Sequence, residues 1–412
     1  MSKRVLIVGQ HFWPESFRIN DIADFLANEK GCTVDVLCGL PNYPSGKFPD
    51  GYSYFKNRHQ TYKNITIRRV FEVPRGNNSN FRIFLNYISF PIASIFHIPR
   101  LLTKKYDKIL IYQLSPVMMS IAGLLLGKLT RTETTMYVLD LWPENLYSVI
   151  AVRNPLLRKI AGSVSHWHYR HVDKLIALSA TMRTKLLEVS SVPPSKIATI
   201  PQACEKVYET PIHDEAIHRR FNSKFTVVFT GNISPAQSFD TMVKAAAILK
   251  KEQFDDIHWI IVGDGMSRKE AEQSVRDQGL ESNFSFEGHH PIEDMPKYME
   301  RADVLVGCLA KSELLEATIP AKVMSYIASG KPIVLAMDGE AGTLINDTIR
   351  CGYASGTEDA AALADNIRRI YDLPTSKRRT LGEKASIYYA KNLNRTVLLE
   401  KLYNFLLTSN KV

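Results

Sequence analysis

Short β-branched runs separated by helical stretches recur along all 412 residues, and this alternation restricts the fold more than any other feature. A strand, a crossover helix and a second parallel strand form one unit, and repeated units build a parallel sheet with helices on both faces. Strands are expected at 4–8, 33–37, 65–70, 108–112, 134–139, 174–178 and 197–200, with helices such as 17–30, 117–129 and 182–189 between them. A second series follows, with strands at 225–229, 258–262, 284–286, 304–306 and 332–335 and helices at 239–251, 267–278, 292–301, 321–329 and 357–371. The polar stretch 206–224 divides the two series. The chain therefore reads as α/β, with two Rossmann-like, doubly wound domains at 1–205 and 206–380. A final helical run, about 381–412, is expected to pack back on the first. Ligand should lie in a crevice where the carboxyl ends of both sheets meet.

Nicotinamide or flavin chemistry is the first thought for such a plan, and the local sequence opposes it. The first strand is followed by GQHFWPE and the strand at 225–229 by TGNISPA, each with a single glycine. Neither offers the GxGxxG that lets a backbone approach a dinucleotide pyrophosphate, and no Walker A sequence occurs. The run Ile261-Val262-Gly263-Asp264-Gly265 has the right flavour for a phosphate turn but is weak alone.

Net charge is +10, unevenly divided. Residues 1–200 carry 26 Lys+Arg against 13 Asp+Glu, net +13, whereas the remainder is net −3. The basic half should meet nucleic acid, anionic lipid or a phosphorylated substrate, and no nucleic-acid module is recognisable. Five cysteines without a CxxC pair argue against a disulfide framework or structural zinc and for a reducing compartment. MSKRVLIVGQ begins a strand and has no signal-peptide pattern. Residues 84–102, FLNYISFPIASIFHIPRLL, are too interrupted to span a bilayer. With a flank of Arg100, Lys104 and Lys105 they fit a monotopic segment in a membrane interface, or else a helix buried in the domain core.

Residues 316–332, EATIPAKVMSYIASGKP, pose a sharper question. Pro320 suits a first helical turn and Gly330 a helix end, yet Lys322 stands in that first turn, where the helix dipole favours anions. Either Lys322 is a solvated surface lysine, or it and the free helix N–H groups hold an anion together.

The segments FTGNISPAQSFDTMVKAAAIL (229–249), IIVGDG (260–265), GHHPIEDMPKYMERADVLV (288–306) and TIPAKVMSYIASGKPIV (318–334) resemble, in order, the donor domain of family-4 glycosyltransferases of the GT-B fold. In the first half, GQHFWPESFRINDIADFL, GLPNYPSGKFPDGY and YVLDLWPEN are similar to the L-fucosamine (N-acetyl-L-fucosaminyl) transferase subgroup of bacterial surface-polysaccharide synthesis. The resemblance implies two domains facing across a cleft, no catalytic metal and no other cofactor. The donor, a UDP-type nucleotide sugar, would meet Gly231, Asn232, Gly263 and Gly265. Lys322 would take the diphosphate, with Thr318 and Ser325 on the same segment and the base along Gly288-His289-His290. Gln237 stands near the place where many relatives carry a basic residue. Family members usually have two glutamates at positions matching 317 and 325, but Ala317 and Ser325 stand here, with Glu316 one place away.

Retention and inversion both stay open. An inverting reaction needs a base, for which His11, Glu15 and Asp140 are candidates. Each also has a plain structural use: loop hydrogen bonding for His11, the helix dipole for Glu15, a helix cap for Asp140. The acceptor, a polyprenyl-pyrophosphate-linked sugar such as GlcNAc, would meet the first domain near Arg18, Asn42 and Tyr43, at the cytoplasmic face of the inner membrane. The resulting activity is transfer of N-acetyl-L-fucosamine in O-antigen or capsule repeat-unit assembly. A UDP-sugar epimerase and a non-catalytic two-lobed sugar-binding protein are the alternatives.

Overall fold

The structure is a computed structural model, and it describes residues 2–76, 79–143, 154–312, 316 and 318–407. It divides into two compact units, Met1–Pro201 with Leu399–Val412, and Gln202–Leu398.

The first unit holds an eight-stranded sheet: β1 (Arg4–Val8), β2 (Thr33–Cys38), β3 (His59–Tyr62), β4 (Ile65–Arg69), β5 (Lys108–Gln113), β6 (Thr134–Val138), β7 (Lys174–Ala177) and β8 (Ile197–Thr199). The strand order is β3-β4-β2-β1-β5-β6-β7-β8, parallel except for the antiparallel edge pair β3–β4. β1, β5 and β6 are almost entirely buried, as expected of strands covered on both faces. The order reverses between β1 and β5, which opens a crevice at their carboxyl ends. Strand β3 was not expected, because HQTY has no apolar run and its side chains are half or fully exposed.

The second unit holds six parallel strands: β9 (Phe225–Thr230), β10 (Ile257–Val262), β11 (Phe284–Gly288), β12 (Val304–Cys308), β13 (Ile333–Ala336) and β14 (Gly352–Ser355). Their order is β11-β10-β9-β12-β13-β14, so the reversal lies between β9 and β12. Buried Trp259 stacks on Phe284 at 5.5 Å within its core. The short edge strand β14, GYAS, is the one missing from the sequence reading.

Two expectations about the ends need correction. Residues 381–398 stay with the second unit, because the helix Thr375–Tyr388 meets the helix Ala321–Ser329 backbone to backbone. A Cβ on Gly382 would lie 2.0 Å from the Gly330 carbonyl oxygen, and Gly330 itself sits at φ +68°. Only from Leu399 does the chain join the first unit. There Tyr403 meets the edge of Phe25, Lys174 Nζ donates to the Phe405 carbonyl, and Lys30 pairs with Glu400. The boundary itself falls at 201/202, four residues before the expected one.

Residues 84–102 form the helix Asn80–Ile95, with Pro91 inside it, and the short helix Ile98–Leu102. Among the described residues no helix is long and apolar enough to cross a membrane. Asn86, Phe90 and Ser94 are fully buried, whereas Phe81, Phe84, Ile92, Phe96 and Leu102 are exposed, Phe96 by 78%. The helix Asn80–Ile95 thus buries two polar side chains beside Phe90 and leaves Phe81, Phe84 and Ile92 to solvent. Arg100 and Lys105 are exposed, but Lys104 is not a free cation. It pairs with buried Asp35 at 2.7 Å, which removes it from the basic flank.

Candidate active site

In the second unit, three strand ends converge on a cavity of about 360 Å³ lined by Gly231, Asn232, Gly263, Asp264, His289 and His290, among others. The glycines are dictated by backbone contact. Gly263 has φ +146°, and a Cβ there would lie 1.9 Å from the Gly231 carbonyl oxygen. Gly231, at φ +130°, donates its N–H to Val262 at 2.9 Å. Gly265 supports the turn from outside the cavity lining: its N–H bonds Asp264 Oδ1, and a Cβ would meet Ile233 O at 2.2 Å. The turn at 261–265 is therefore a loop-on-loop junction with bare backbone at its mouth.

The helix Ala321–Ser329 runs from β12 to β13, so its amino end stands at the carboxyl edge of this sheet. Buried Val323, Met324, Tyr326 and Ile327 hold it. Tyr326 Oη accepts the Thr230 N–H at 3.0 Å and donates to the Val306 carbonyl, tying the helix to the ends of β9 and β12. Lys322 is half-buried beside Gly231; a Cβ on Gly231 would be 3.6 Å from its Nζ. Its ammonium lies 3.8 Å from the Phe229 ring centroid and donates to Gln237 Oε1. Desolvation lowers the Lys322 pKa to about 7, with the Cys308 thiol acting weakly the other way. It is a partly desolvated amine with no carboxylate partner among the described residues, beside a glycine-lined turn, not a solvated surface lysine.

The remaining predicted donor residues divide. Gln237 joins Lys322 directly. Thr318 is half-buried just before Pro320. Ser325 is buried and donates to the Ala321 carbonyl of its own helix at 3.4 Å, so its hydroxyl has an internal use. Glu316 is held through its backbone: its N–H bonds Ser312 O, and a Cβ on Gly339 would lie 2.2 Å from its carbonyl oxygen.

In the first unit the loops after β1, β2, β4, β5 and β6 carry a second polar constellation. His11 Nδ1 lies 2.8 Å from Glu15 Oε2, both nearly fully buried, and the imidazole stacks on Phe17 at 4.7 Å. Glu15 Oε1 accepts the backbone N–H groups of Asn42 and Tyr43, each at 2.7 Å. With Glu15 accepting on that side, Nδ1 of His11 carries a proton directed at the carboxylate. Tyr43 lies 5.7 Å from His11, ring to ring, and under the Arg75 guanidinium.

Gln10, Glu72 and Asn86, buried residues that sequence reasoning missed, complete this cluster with the predicted Asn42. Gln10, Asn42 and Asn86 all donate to Glu72 Oε1, while Glu72 Oε2 has no partner among the described residues. Desolvation raises the Glu72 pKa to about 7. Asp140 takes a different part. Its Oδ2 accepts both the N–H and the hydroxyl of Ser115, and Trp142 Nε1 donates to that hydroxyl. It fastens the loop after β5, and the helix expected beyond Pro143 lies outside the described residues. Arg18 precedes the helix Ile19–Asp24 and is half-buried. Of the histidines at 166, 168 and 171, His168 bonds Ser120 at 2.7 Å, and burial lowers its pKa to about 4.

Residues 213–387 match the family Glycosyl transferases group 1. The chain is similar to the 2-deoxystreptamine glucosyltransferase of Streptomyces kanamyceticus, 23% identical over 60% of this chain and 66% of that protein. It also resembles the amylovoran biosynthesis glycosyltransferase AmsK of Erwinia amylovora, 24% identical over 45% of this chain. That match spans 47% of AmsK's own length, so the chain spans less than two thirds of these relatives. Among solved structures, Anabaena Alr3699/HepE in complex with UDP and glucose aligns with TM-score 0.69 at 15% identity, over 98% of this chain and 99% of that one. WaaG, a glycosyltransferase involved in lipopolysaccharide biosynthesis, aligns with TM-score 0.65 at 16% identity, over 98% and 100%. The fold is GT-B, two Rossmann-like α/β domains with parallel sheets. The domain match and the relatives support a glycosyltransferase.

Proposed function

We propose that this chain is a metal-independent, family-4-like glycosyltransferase whose second unit binds a UDP-type sugar donor. One observation carries the reading: a half-desolvated lysine, Lys322, stands beside bare glycine backbone at the carboxyl edge of the second sheet. An ammonium held over an aromatic ring and bonded only to a neutral amide gains most from an incoming anion. The diphosphate would rest on Lys322, Gly231 and the amino end of the 321–329 helix, with the base toward His289. Solved relatives holding UDP, or UDP-glucose, support the donor class. Glu316, backbone-locked at the sheet edge, is the acid nearest the donor sugar in sequence, and we assign it there.

In the first unit His11 is the candidate general base, with Glu15 fixing its tautomer and orientation as the third member of a triad does elsewhere. Such a base serves an inverting transfer: it removes the acceptor hydroxyl proton as the diphosphate leaves. The acceptor we favour is a polyprenyl-pyrophosphate-linked sugar such as GlcNAc, and the sugar moved is N-acetyl-L-fucosamine, in O-antigen or capsule assembly. The exposed Phe84, Ile92, Phe96 and Leu102, with Arg100 and Lys105 near their end, suit peripheral attachment to the cytoplasmic face of the inner membrane.

The test is incubation with a panel of nucleotide sugars and a synthetic lipid-pyrophosphate GlcNAc, with product linkage and anomeric configuration read by nuclear magnetic resonance. A transfer product only with UDP-N-acetyl-L-fucosamine supports the full reading. Conversion of donor without acceptor would replace it with an epimerase. For the membrane face, Phe84→Ser with Phe96→Ser should abolish sedimentation with anionic liposomes; unchanged sedimentation would refute that attachment.

A further inference from the structure

We propose that His213, His218 and Glu300 form a divalent-metal site of the zinc type on the second unit. His213 lies just before the helix Glu215–Arg220, His218 lies within it, and Glu300 is on the helix Met295–Arg301. One ligand atom from each lies within 4.8 Å of the others. Glu300 Oε2 is 2.5 Å from His218 Nε2 and 3.6 Å from His213 Nδ1. Donors on bonds of about 2 Å at tetrahedral angles stand roughly 3.3 Å apart. One separation already fits, and the other opens by a small carboxylate rotation. His213 is 55% exposed, so a fourth position is open to water.

A second observation points the same way. His213 Nε2 lies 3.3 Å from Glu215 Oε1, which makes Glu215 the acceptor of the Nε2–H. The other ring nitrogen, Nδ1, faces the Glu300 carboxylate. A carboxylate behind a histidine, fixing its tautomer so that the other nitrogen faces the metal, is the usual outer shell of a zinc ligand. Lys331 Nζ bonds the Glu300 carbonyl rather than its carboxylate, and Glu300 Oε2 is the oxygen that meets both imidazoles. Two imidazoles, 4.2 Å apart between ring centroids, with one carboxylate match the nitrogen and oxygen preference of zinc.

The consequence is mechanical. Residues 213–218 belong to the segment by which the chain enters the second unit, and Met295 of the partner helix lines the cavity beside Gly231. A metal here fastens that entry segment to the cavity wall and stays outside the transfer chemistry.

Untagged protein freed of metal by a chelator is titrated with Zn²⁺ by calorimetry and, in parallel, with Co²⁺ by visible absorption. One equivalent of each per chain is expected, with the cobalt form giving tetrahedral d–d bands. Glu215→Gln should weaken uptake by roughly 10–100-fold, and His213→Ala, at an exposed position, should abolish it while leaving the circular dichroism unchanged. No saturable uptake, or one equivalent retained by His213→Ala with His218→Ala, would overturn the site.

Discussion

Lys322→Met makes the most demanding test, because the same residue sets affinity, its pH dependence and the stability of the free protein. With its pKa lowered to about 7, Lys322 is about half protonated at neutral pH before donor arrives. A diphosphate against it should restore the charge, so binding takes up a proton. Affinity for a UDP-sugar, whose diphosphate does not titrate here, should fall by on the order of tenfold per pH unit above 7. Calorimetry in buffers of different ionisation enthalpy should count about half a proton taken up at pH 7 and nearly one at pH 8.5. The measurement is made between pH 7.5 and 9.5, above the Lys322 midpoint. Lys322→Met should lose a charge-assisted contact of about 1.5–3 kcal/mol, weakening donor binding roughly 10–150-fold and flattening the pH slope. The unliganded variant should melt higher. A native pKa below the unfolded one means that the unfolded state binds more protons between about 7 and 10.5. Wild-type stability therefore rises with pH through that range, and methionine removes the penalty carried below it. Donor binding that is flat from pH 7.5 to 9.5, with no proton uptake in the wild type, would refute the assignment of the diphosphate to Lys322.

Gly263→Ala should abolish donor binding and destabilise the second unit by about 1–3 kcal/mol through backbone strain alone, because its Cβ would stand 1.9 Å from Gly231 O; thermal melts with and without UDP check both. Glu72, raised to about 7 from 4.5, binds more protons folded than unfolded, so its contribution is complete below about 4.5 and lost as pH rises to about 7. That is about 3 kcal/mol across the window, and Glu72→Gln should flatten the denaturant midpoint over the same range. His11→Ala should lower turnover by about 10²–10⁴-fold with the donor Michaelis constant little changed; an equal loss in both would make His11 a structural loop residue.

The fold was legible because buried parallel strands are near-continuous apolar runs, and those runs set most of the fourteen strands. The two strands missed, β3 and β14, are edges: HQTY and GYAS pair on one side only and need little apolar surface. Pro320 and Gly330 bracketed the 321–329 helix correctly, since both act through local backbone geometry. The return of the chain to the first unit was placed too early for the opposite reason. Nothing in GEKAS announces that Gly382 will touch the Gly330 backbone.

The two constellations differed in legibility because they are built differently. In the second unit the proposed donor turn is made of residues that a short segment betrays: glycine at a strand end, and a lysine where the helix dipole favours anions. In the first, Gln10 reaches Glu72 and Asn86, residues 62 and 76 positions away, and no local pattern links the three. Glu72 reads from sequence as an ordinary polar residue between Phe71 and Val73, yet it is fully buried and has one carboxylate oxygen unpartnered. A buried, half-satisfied acid is expensive to keep, so its retention beside the His11–Glu15 pair points to use. On this reading the acceptor half of the reaction is specified by long-range pairing among loops, the donor half by local backbone. Variants at Gln10 or Asn86 should therefore alter acceptor discrimination and leave donor affinity intact, and a change in donor affinity alone would break that division.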